Sequence, residues 1–267
     1  MRFGIFFMKK KETVDHIVKW LRQYCETSGM SGFVVGVSGG IDSALTSTLC
    51  ALTEKPTLLV EMPIHQAESQ VTRAQQHMTF LENRFDCVSC ERVELTTSFD
   101  TLVQSLPPSG NQALYNLSLA NSRARLRMTT LYYFAGIHRY LVAGTGNKIE
   151  DFGVGFFTKY GDGGVDLSPI ADLTKTEVYS LAESLGVHED ILNAAPTDGL
   201  FGDDRSDEDQ LGASYPELEW AMNYIENGEN LSIRQREVLV IYQKLNRQNQ
   251  HKMQPIPVCI IPDDLRQ

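Results

Sequence analysis

The stretch Phe33-Val34-Val35-Gly36-Val37-Ser38-Gly39-Gly40-Ile41-Asp42-Ser43 decides the fold. Its first five residues form a continuous, β-branched apolar run, which suits a strand covered on both faces of a parallel sheet. A glycine pair follows, and then a helical pattern with Ile41, Leu45, Leu49 and Leu52 on one stripe. In an open α/β sheet, ligands bind where strands end and helices begin, and a helix N-terminus there offers unpaired N–H groups and a positive dipole end to an anion. Gly39 and Gly40 are expected to take φ > 0 and curl their amides inward, with Ser38 and Ser43 adding hydroxyls. The stretch therefore predicts a phosphate cradle. It has neither the Gly-Lys-Ser/Thr of a Walker loop nor a Gly-x-Gly-x-x-Gly dinucleotide loop. Asp42 would repel phosphate unless it holds a divalent cation that bridges to it. The plain alternative is that Asp42 or Ser43 serves only as a helix N-cap.

On either side of this stretch the pattern alternates. Val14, Ile17, Val18, Leu21 and Tyr24 predict an amphipathic helix over 12–25; after Pro56, Leu58-Leu59-Val60 reads as a second strand. A helix over 68–81, a strand over 87–93, a helix over 111–138 and a strand over 140–143 continue the series, which is that of a doubly wound α/β sheet. Beyond residue 145 the chain is too glycine-rich for a regular element, with Gly153, Gly155, Gly161, Gly163 and Gly164, and reads as functional loop. Thr174 with Glu177, and Ser232 with Gln235, fit capping boxes, and Gly186 suits a C-cap. The acidic, polar segment from Gly199 to about residue 210 reads as a mobile loop.

The 267 residues are 42% apolar, enough for a full core in one domain, residues 1–10 being expected outside it. Lys plus Arg number 24 against 34 Asp plus Glu, a net charge of −10, so nucleic acid and anionic membrane are poor partners and any anionic ligand must be met locally. No stretch approaches the roughly 20 apolar residues that span a bilayer. Five cysteines, an odd and sparse set with a lone Cys87-x-x-Cys90, argue for a reducing compartment, read as the cytoplasm, and against a zinc site.

Ser38-Gly39-Gly40-Ile41-Asp42-Ser43 resembles the pyrophosphatase-type loop of the adenine-nucleotide α-hydrolase-like enzymes. Further segments choose within that group: Gly144-Thr145-Gly146-Asn147-Lys148-Ile149-Glu150; Gly155 to Asp166, containing Phe157-Thr158-Lys159-Tyr160-Gly161-Asp162; Asn121 to Met128; Leu173-Thr174-Lys175; Ala195-Pro196-Thr197; and His251-Lys252. Together they are similar to NAD synthetases, from about residue 12 onward. The resemblance implies a mostly parallel five-stranded sheet, and ATP-dependent amidation of deamido-NAD by ammonia through an acyl-adenylate, giving NAD, AMP and pyrophosphate. Ammonia rather than glutamine is expected because the chain leaves no room for a glutaminase domain. Residues Gly36, Val37, Ser38, Gly39, Gly40, Ile41, Asp42 and Ser43, with Thr145, Lys175 and Thr197, are implied ATP contacts, Asp42, Lys175 and Thr197 being catalytic. Asp42 and Glu150 are implied Mg²⁺ ligands. Arg125, Lys159, Asp166, His251 and Lys252 are implied deamido-NAD contacts.

Each has a plainer reading. Glu150 and Asp166 fit solvated loop acids, Arg125 an i,i+4 partner, and His251 and Lys159 surface residues. Lys175 sits in a first helical turn, where a cation is disfavoured, which points to a role. Alternatives for the whole chain are another synthetase with the same loop, or a non-catalytic nucleotide-binding protein on a similar sheet. Finally, the 111–138 helix carries Leu117, Ala120, Ala124, Met128, Leu131 and Ala135 on one stripe and Tyr115, Leu119, Leu126, Tyr133 and Ile137 elsewhere. The surplus suits a homodimer, as does the resemblance.

Overall fold

The computed structural model describes residues 8–196, 206–226 and 230–266. Helix α1 (Lys10–Thr27) leads into strand β1 (Gly32–Gly36), followed by α2 (Ile41–Ala51), β2 (Thr57–Glu61), α3 (Glu68–Arg84), β3 (Val88–Arg92), α4 (Thr96–Ser105), α5 (Gln112–His138) and β4 (Tyr140–Val142). The strands pair in parallel in the order β3-β2-β1-β4. The sheet is therefore doubly wound, with α1, α2 and α3 packed through one apolar core and α4 and α5 through another on the opposite face. Phe33, Val34 and Val35 of β1 are fully buried between the two, which is why this strand shows no polar alternation.

The sheet has four strands rather than five. Where a fifth would lie, Leu167 makes a single parallel bridge to Ala143. The segment before it turns tightly at Thr158–Gly164, and this glycine-rich chain does not stay extended long enough to build a ladder. The same segment corrects a second expectation, since Ile149–Val154 forms a π-helix, ending at Gly155 with φ +65°. An added Cβ at Gly155 would collide with Asn249, so the close approach of backbone to α10 requires glycine. Helix α4 was not foreseen, its single buried anchor, Phe99, giving little periodicity to read.

The remaining helices are α6 (Lys175–Ser184), α7 (Glu189–Leu192), α8 (Asp207–Leu211), α9 (Tyr215–Asn223) and α10 (Ile233–Met253). Both expected capping boxes are present, and Ser206 with Asp209 and Ser214 with Glu217 add two more. Helices α8, α9 and α10 pack with the π-helix around Ile149, Val154, Leu218 and Val238 in a third small core. Thr197 and residues 199–205 of the expected mobile loop lie outside the described residues; from Ser206 onward that segment is the capped helix α8 rather than loop.

Candidate active site

The chain leaves β1 toward β2 on one side and reaches β4 on the other, so the ends of these adjacent strands open a crevice at the switch point of the sheet. A cleft of about 270 Å³ lies there, lined by residues 36–43, the ends of β2 and β4, and faces of α3, α5 and α6. The loop after β1 forms one wall. Gly39 has φ +80°, and an added Cβ would lie 2.5 Å from the Gln70 carbonyl oxygen, so only glycine serves. Gly40, by contrast, is extended (φ −94°, ψ 163°), a conformation open to any residue; only one of the expected pair curls. The loop's polar groups pair with one another: Ser38 N–H donates to Ser43 Oγ at 3.2 Å, Gly40 N–H to Ser38 Oγ at 3.3 Å, and Ser43 Oγ to the Gly40 carbonyl at 2.9 Å. These donors can turn to phosphate oxygens.

Gly40 is the N-cap of α2 and no side chain caps that helix, which sets aside the plain role for Asp42 and Ser43. Asp42 turns instead to Lys175, whose Nζ donates to its Oδ2 at 2.6 Å and to Glu150 Oε1 at 2.9 Å. Asn147, fully buried, donates from Nδ2 to Asp42 Oδ1 at 3.0 Å, while its own Oδ1 accepts the N–H groups of Ile149 and Glu150. One side chain thus starts the π-helix and orients Asp42. Tyr215 Oη donates to Glu150 Oε1 at 2.6 Å, and its ring lies 4.5 Å from the Lys175 ammonium. Four elements distant in sequence meet at these contacts.

Lys175 is only 5% exposed. Burial works against its charge, but Asp42 and Glu150 more than offset that and raise its pKa, so it stays an ammonium. Burial and the neighbouring acids likewise push the Tyr215 phenol up, keeping it a hydrogen-bond donor. Asp162, on the cleft wall, is pushed up to about 6 chiefly by burial. Asp151, packed against Gly146, rises to about 8 through burial and then the charge of Glu150; Phe152 beside it is exposed.

The donor set suits a magnesium ion. Mg²⁺ takes one or two carboxylates and completes its shell with water and phosphate oxygens, and here two carboxylates from different elements already converge on a cation, the Lys175 ammonium. Among the described residues no cluster of three acid, His or Cys side chains would hold a metal by protein alone.

The other expected residues gather in a second patch. Arg125 donates from Nε and Nη2 to the Lys159 carbonyl at 3.3 and 3.2 Å. Lys159 Nζ donates to the His251 carbonyl at 2.9 Å, and Lys252 Nζ to that of Phe157 at 2.6 Å. The loop at 155–162 is thereby tied between α5 and the end of α10, with four cationic or imidazole side chains together. Asp166 is not on the cleft wall; it accepts from Tyr132 Oη at 3.0 Å and from the Val142 N–H at 2.8 Å, a structural role beside β4. Thr145 lines the cleft.

Five further residues of this region escaped sequence reasoning. Asn147 and Asp162 stand inside quoted motifs without a distinctive spacing, and Tyr215 approaches only through α9. Arg73 donates from Nε to the Gly39 carbonyl at 3.3 Å, and Arg127 to that of Met62 at 3.0 Å, both on the cleft wall. A signal existed for Arg127, which stands inside the quoted motif Asn121 to Met128, one turn from Arg123.

A sequence model of the NAD synthase family matches residues 13–256. The NH(3)-dependent NAD(+) synthetase of Carboxydothermus hydrogenoformans is 38% identical over 244 residues, 91% of this chain and 94% of the relative. That of Syntrophomonas wolfei subsp. wolfei is 36% identical over 262 residues, 97% of this chain and 100% of the relative. Among solved structures, an NMN synthetase from Francisella tularensis superposes with a TM-score of 0.82 at 28% identity, covering 96% of this chain and all of that one. An NH3-dependent NAD synthetase from Campylobacter jejuni gives 0.76 at 24% identity over 95% of this chain, a likeness of fold.

Proposed function

The chain belongs to the NAD synthase family and is an ammonia-dependent NAD synthetase, and on that premise we propose how its own residues divide the reaction. The observation that carries the assignment is the Asp42, Glu150 and Lys175 cluster standing beside a glycine-opened loop at the mouth of the sheet. The loop of residues 36–43 receives the ATP phosphates, with Thr145 and Thr197 adding contacts. Asp42 and Glu150 would hold Mg²⁺, which when bound neutralises charge on departing pyrophosphate. Lys175 donates hydrogen bonds to phosphate oxygens on which negative charge builds as the α–β bond breaks.

The carboxylate oxygen of deamido-NAD attacks the α-phosphorus, pyrophosphate leaves, and an acyl-adenylate forms. Ammonia then attacks the carbonyl carbon, AMP departs with the electron pair of the broken C–O bond, and nitrogen loses a proton as the amide forms. Asp162, an ionised carboxylate near neutral pH with a raised pKa, is suited to attract ammonium and take its proton. Arg125, Lys159, His251 and Lys252 form the binding surface for the anionic dinucleotide, which an acidic chain must supply locally. Asp166 supports that surface by holding Tyr132.

The Francisella likeness favours a second reading of the acid substrate, in which the deamidated mononucleotide is accepted as well. Both are tested together: AMP, pyrophosphate and amide are measured with ATP, ammonium and either acid. Stoichiometric AMP and NAD support the assignment, and absence of pyrophosphate with both acids refutes it.

The enzyme acts as a homodimer in this proposal. Helix α5 leaves Tyr133 63% and Ile137 58% exposed, with Leu114 and Leu117 also open, and α1 packs on the other face of the sheet and cannot cover them. Among the described residues no helix is long and apolar enough to cross a membrane; five unpaired cysteines support a cytoplasmic location.

A further inference from the structure

The approach of α3 that forces glycine at position 39 also delivers a cation to the phosphate loop. The Gln70 carbonyl and the Ala74 backbone nitrogen crowd Gly39, and the Arg73 Cβ would lie 3.3 Å from a Cβ added there. Half-buried on the cleft wall, Arg73 donates from Nε to the Gly39 carbonyl at 3.3 Å. That bond occupies one of the five N–H groups of a guanidinium. Among the described residues no carboxylate pairs with the others, in a chain of net charge −10. The chemistry above gives this residue no part.

Charge balance says what such a group meets. Lys175 is matched by Asp42 and Glu150, one ammonium against two carboxylates, so that cluster as a whole brings no surplus positive charge to a polyphosphate. The placement of Arg73 suits the deficit. Helices α2, α3 and α6 share one core on one face of the sheet, and α2 packs against both of the others. The N-terminus of α2 is therefore flanked from two sides: Lys175, in the first turn of α6, reaches Asp42, and Arg73, from α3, reaches the residue just before the Gly40 N-cap. An anion seated on residues 38–43 lies between an ammonium already held by acids and a guanidinium that is not.

We propose that Arg73 is a further catalytic residue of the adenylation step, its remaining guanidinium N–H groups donating to the pyrophosphate portion of ATP as that portion leaves. This rests on the assignment of the cleft to ATP. When the bond from the α-phosphorus to the bridging oxygen breaks, the electron pair stays on that oxygen and pyrophosphate gains one negative charge. Arg73, protonated throughout, meets that charge and exchanges no proton. Its planar fork can hold two phosphate oxygens while Nε keeps the Gly39 carbonyl, so the same side chain fixes the loop and the leaving group relative to one another.

The experiment measures calorimetric binding of inorganic pyrophosphate and of AMP, each with Mg²⁺, and the rate of AMP formation, in wild type and Arg73→Gln. R73Q should bind pyrophosphate about 10- to 100-fold more weakly, the worth of a charge-assisted hydrogen bond, and form AMP slower by a similar factor. Its affinity for AMP, which lacks the pyrophosphate portion, should stay within about twofold of wild type. A residue that only held the loop would weaken both ligands alike, because the α-phosphate rests on the same loop. Equal losses for the two ligands, or none for pyrophosphate, therefore overturn the role of Arg73. If R73Q does not fold, the wild-type protein is treated with phenylglyoxal and its arginines are mapped by mass spectrometry. Pyrophosphate with Mg²⁺ should protect Arg73 several-fold and AMP should not; labelling that pyrophosphate leaves unchanged overturns the role. Failure of wild type to bind either pyrophosphate or ATP overturns the ATP site and this inference with it.

Discussion

Replacing Lys175 by methionine separates what this residue does for the fold from what it does for the reaction. Methionine keeps most of the length and packing but leaves Asp42 and Glu150, 17% and 15% exposed, facing one another without the ammonium that sits 2.6 and 2.9 Å from them. Removing one partner of a buried ion pair costs about 3–5 kcal/mol, and the residual exposure of both acids places this case at the lower end, about 3 kcal/mol. At roughly 2–4 °C per kcal/mol for a chain of this size, the melting temperature should fall by about 6–12 °C. Calorimetry in EDTA measures that loss. Millimolar Mg²⁺ should then raise the melting temperature of K175M more than that of wild type, because the variant no longer places an ammonium against the incoming ion. AMP formation should drop by roughly 10²- to 10³-fold, as when a single donor to developing charge is removed, and Mg²⁺ should not restore it. A melting temperature within about 2 °C of wild type in EDTA, or one that Mg²⁺ leaves unmoved, would refute the picture of a charge-balanced buried cluster.

Asp42→Asn and Glu150→Gln should each lower AMP formation by at least about 10²-fold while preserving the far-UV circular dichroism spectrum, since each removes an anionic ligand; wild-type rates at limiting Mg²⁺ would sink the assignment for that residue. Burial holds the Asp151 carboxyl up to about 8 and Asp162 up to about 6. Both keep protons in the fold that the unfolded chain has released, so stability is full below about pH 4 and declines as pH rises through these values, by up to about 1.4 kcal/mol per pH unit for each group. Between pH 6 and 8 the slope belongs to Asp151, and Asp151→Asn should flatten it in metal-free urea titrations; an identical slope in the variant would count against the shift. Sedimentation equilibrium at micromolar protein should give a species of twice the chain mass that Tyr133→Lys with Ile137→Lys converts to monomer, whereas a fully active wild-type monomer would end the homodimer proposal.

Much of the fold was legible in local pattern. The apolar run at 33–35, the glycines after it and the stripe of α2 are all consequences of neighbours in sequence: burial on both faces of β1, one left-handed residue, and a helix that follows at once. Capping boxes at Thr174 and Ser232 are equally local, since a hydroxyl and a carboxyl or amide three residues apart satisfy one another's backbone donors wherever the helix goes. The fifth strand failed because a ladder needs a partner that stays extended, and Leu167 holds a single bridge. The π-helix failed because its glycines are set by how near α10 comes, which no local periodicity records. The site divides along the same line. Asp42 was legible from the loop itself, and Glu150 and Lys175 through the resemblance to NAD synthetases, but that one ammonium holds both carboxylates, that Asn147 aims Asp42, and that Tyr215 arrives from α9 were decided by tertiary packing. Hydrogen bonds between residues 25 to 133 positions apart leave no periodic trace in the chain; they exist only once the sheet, the π-helix and the outer helices are brought together by burial of their apolar faces.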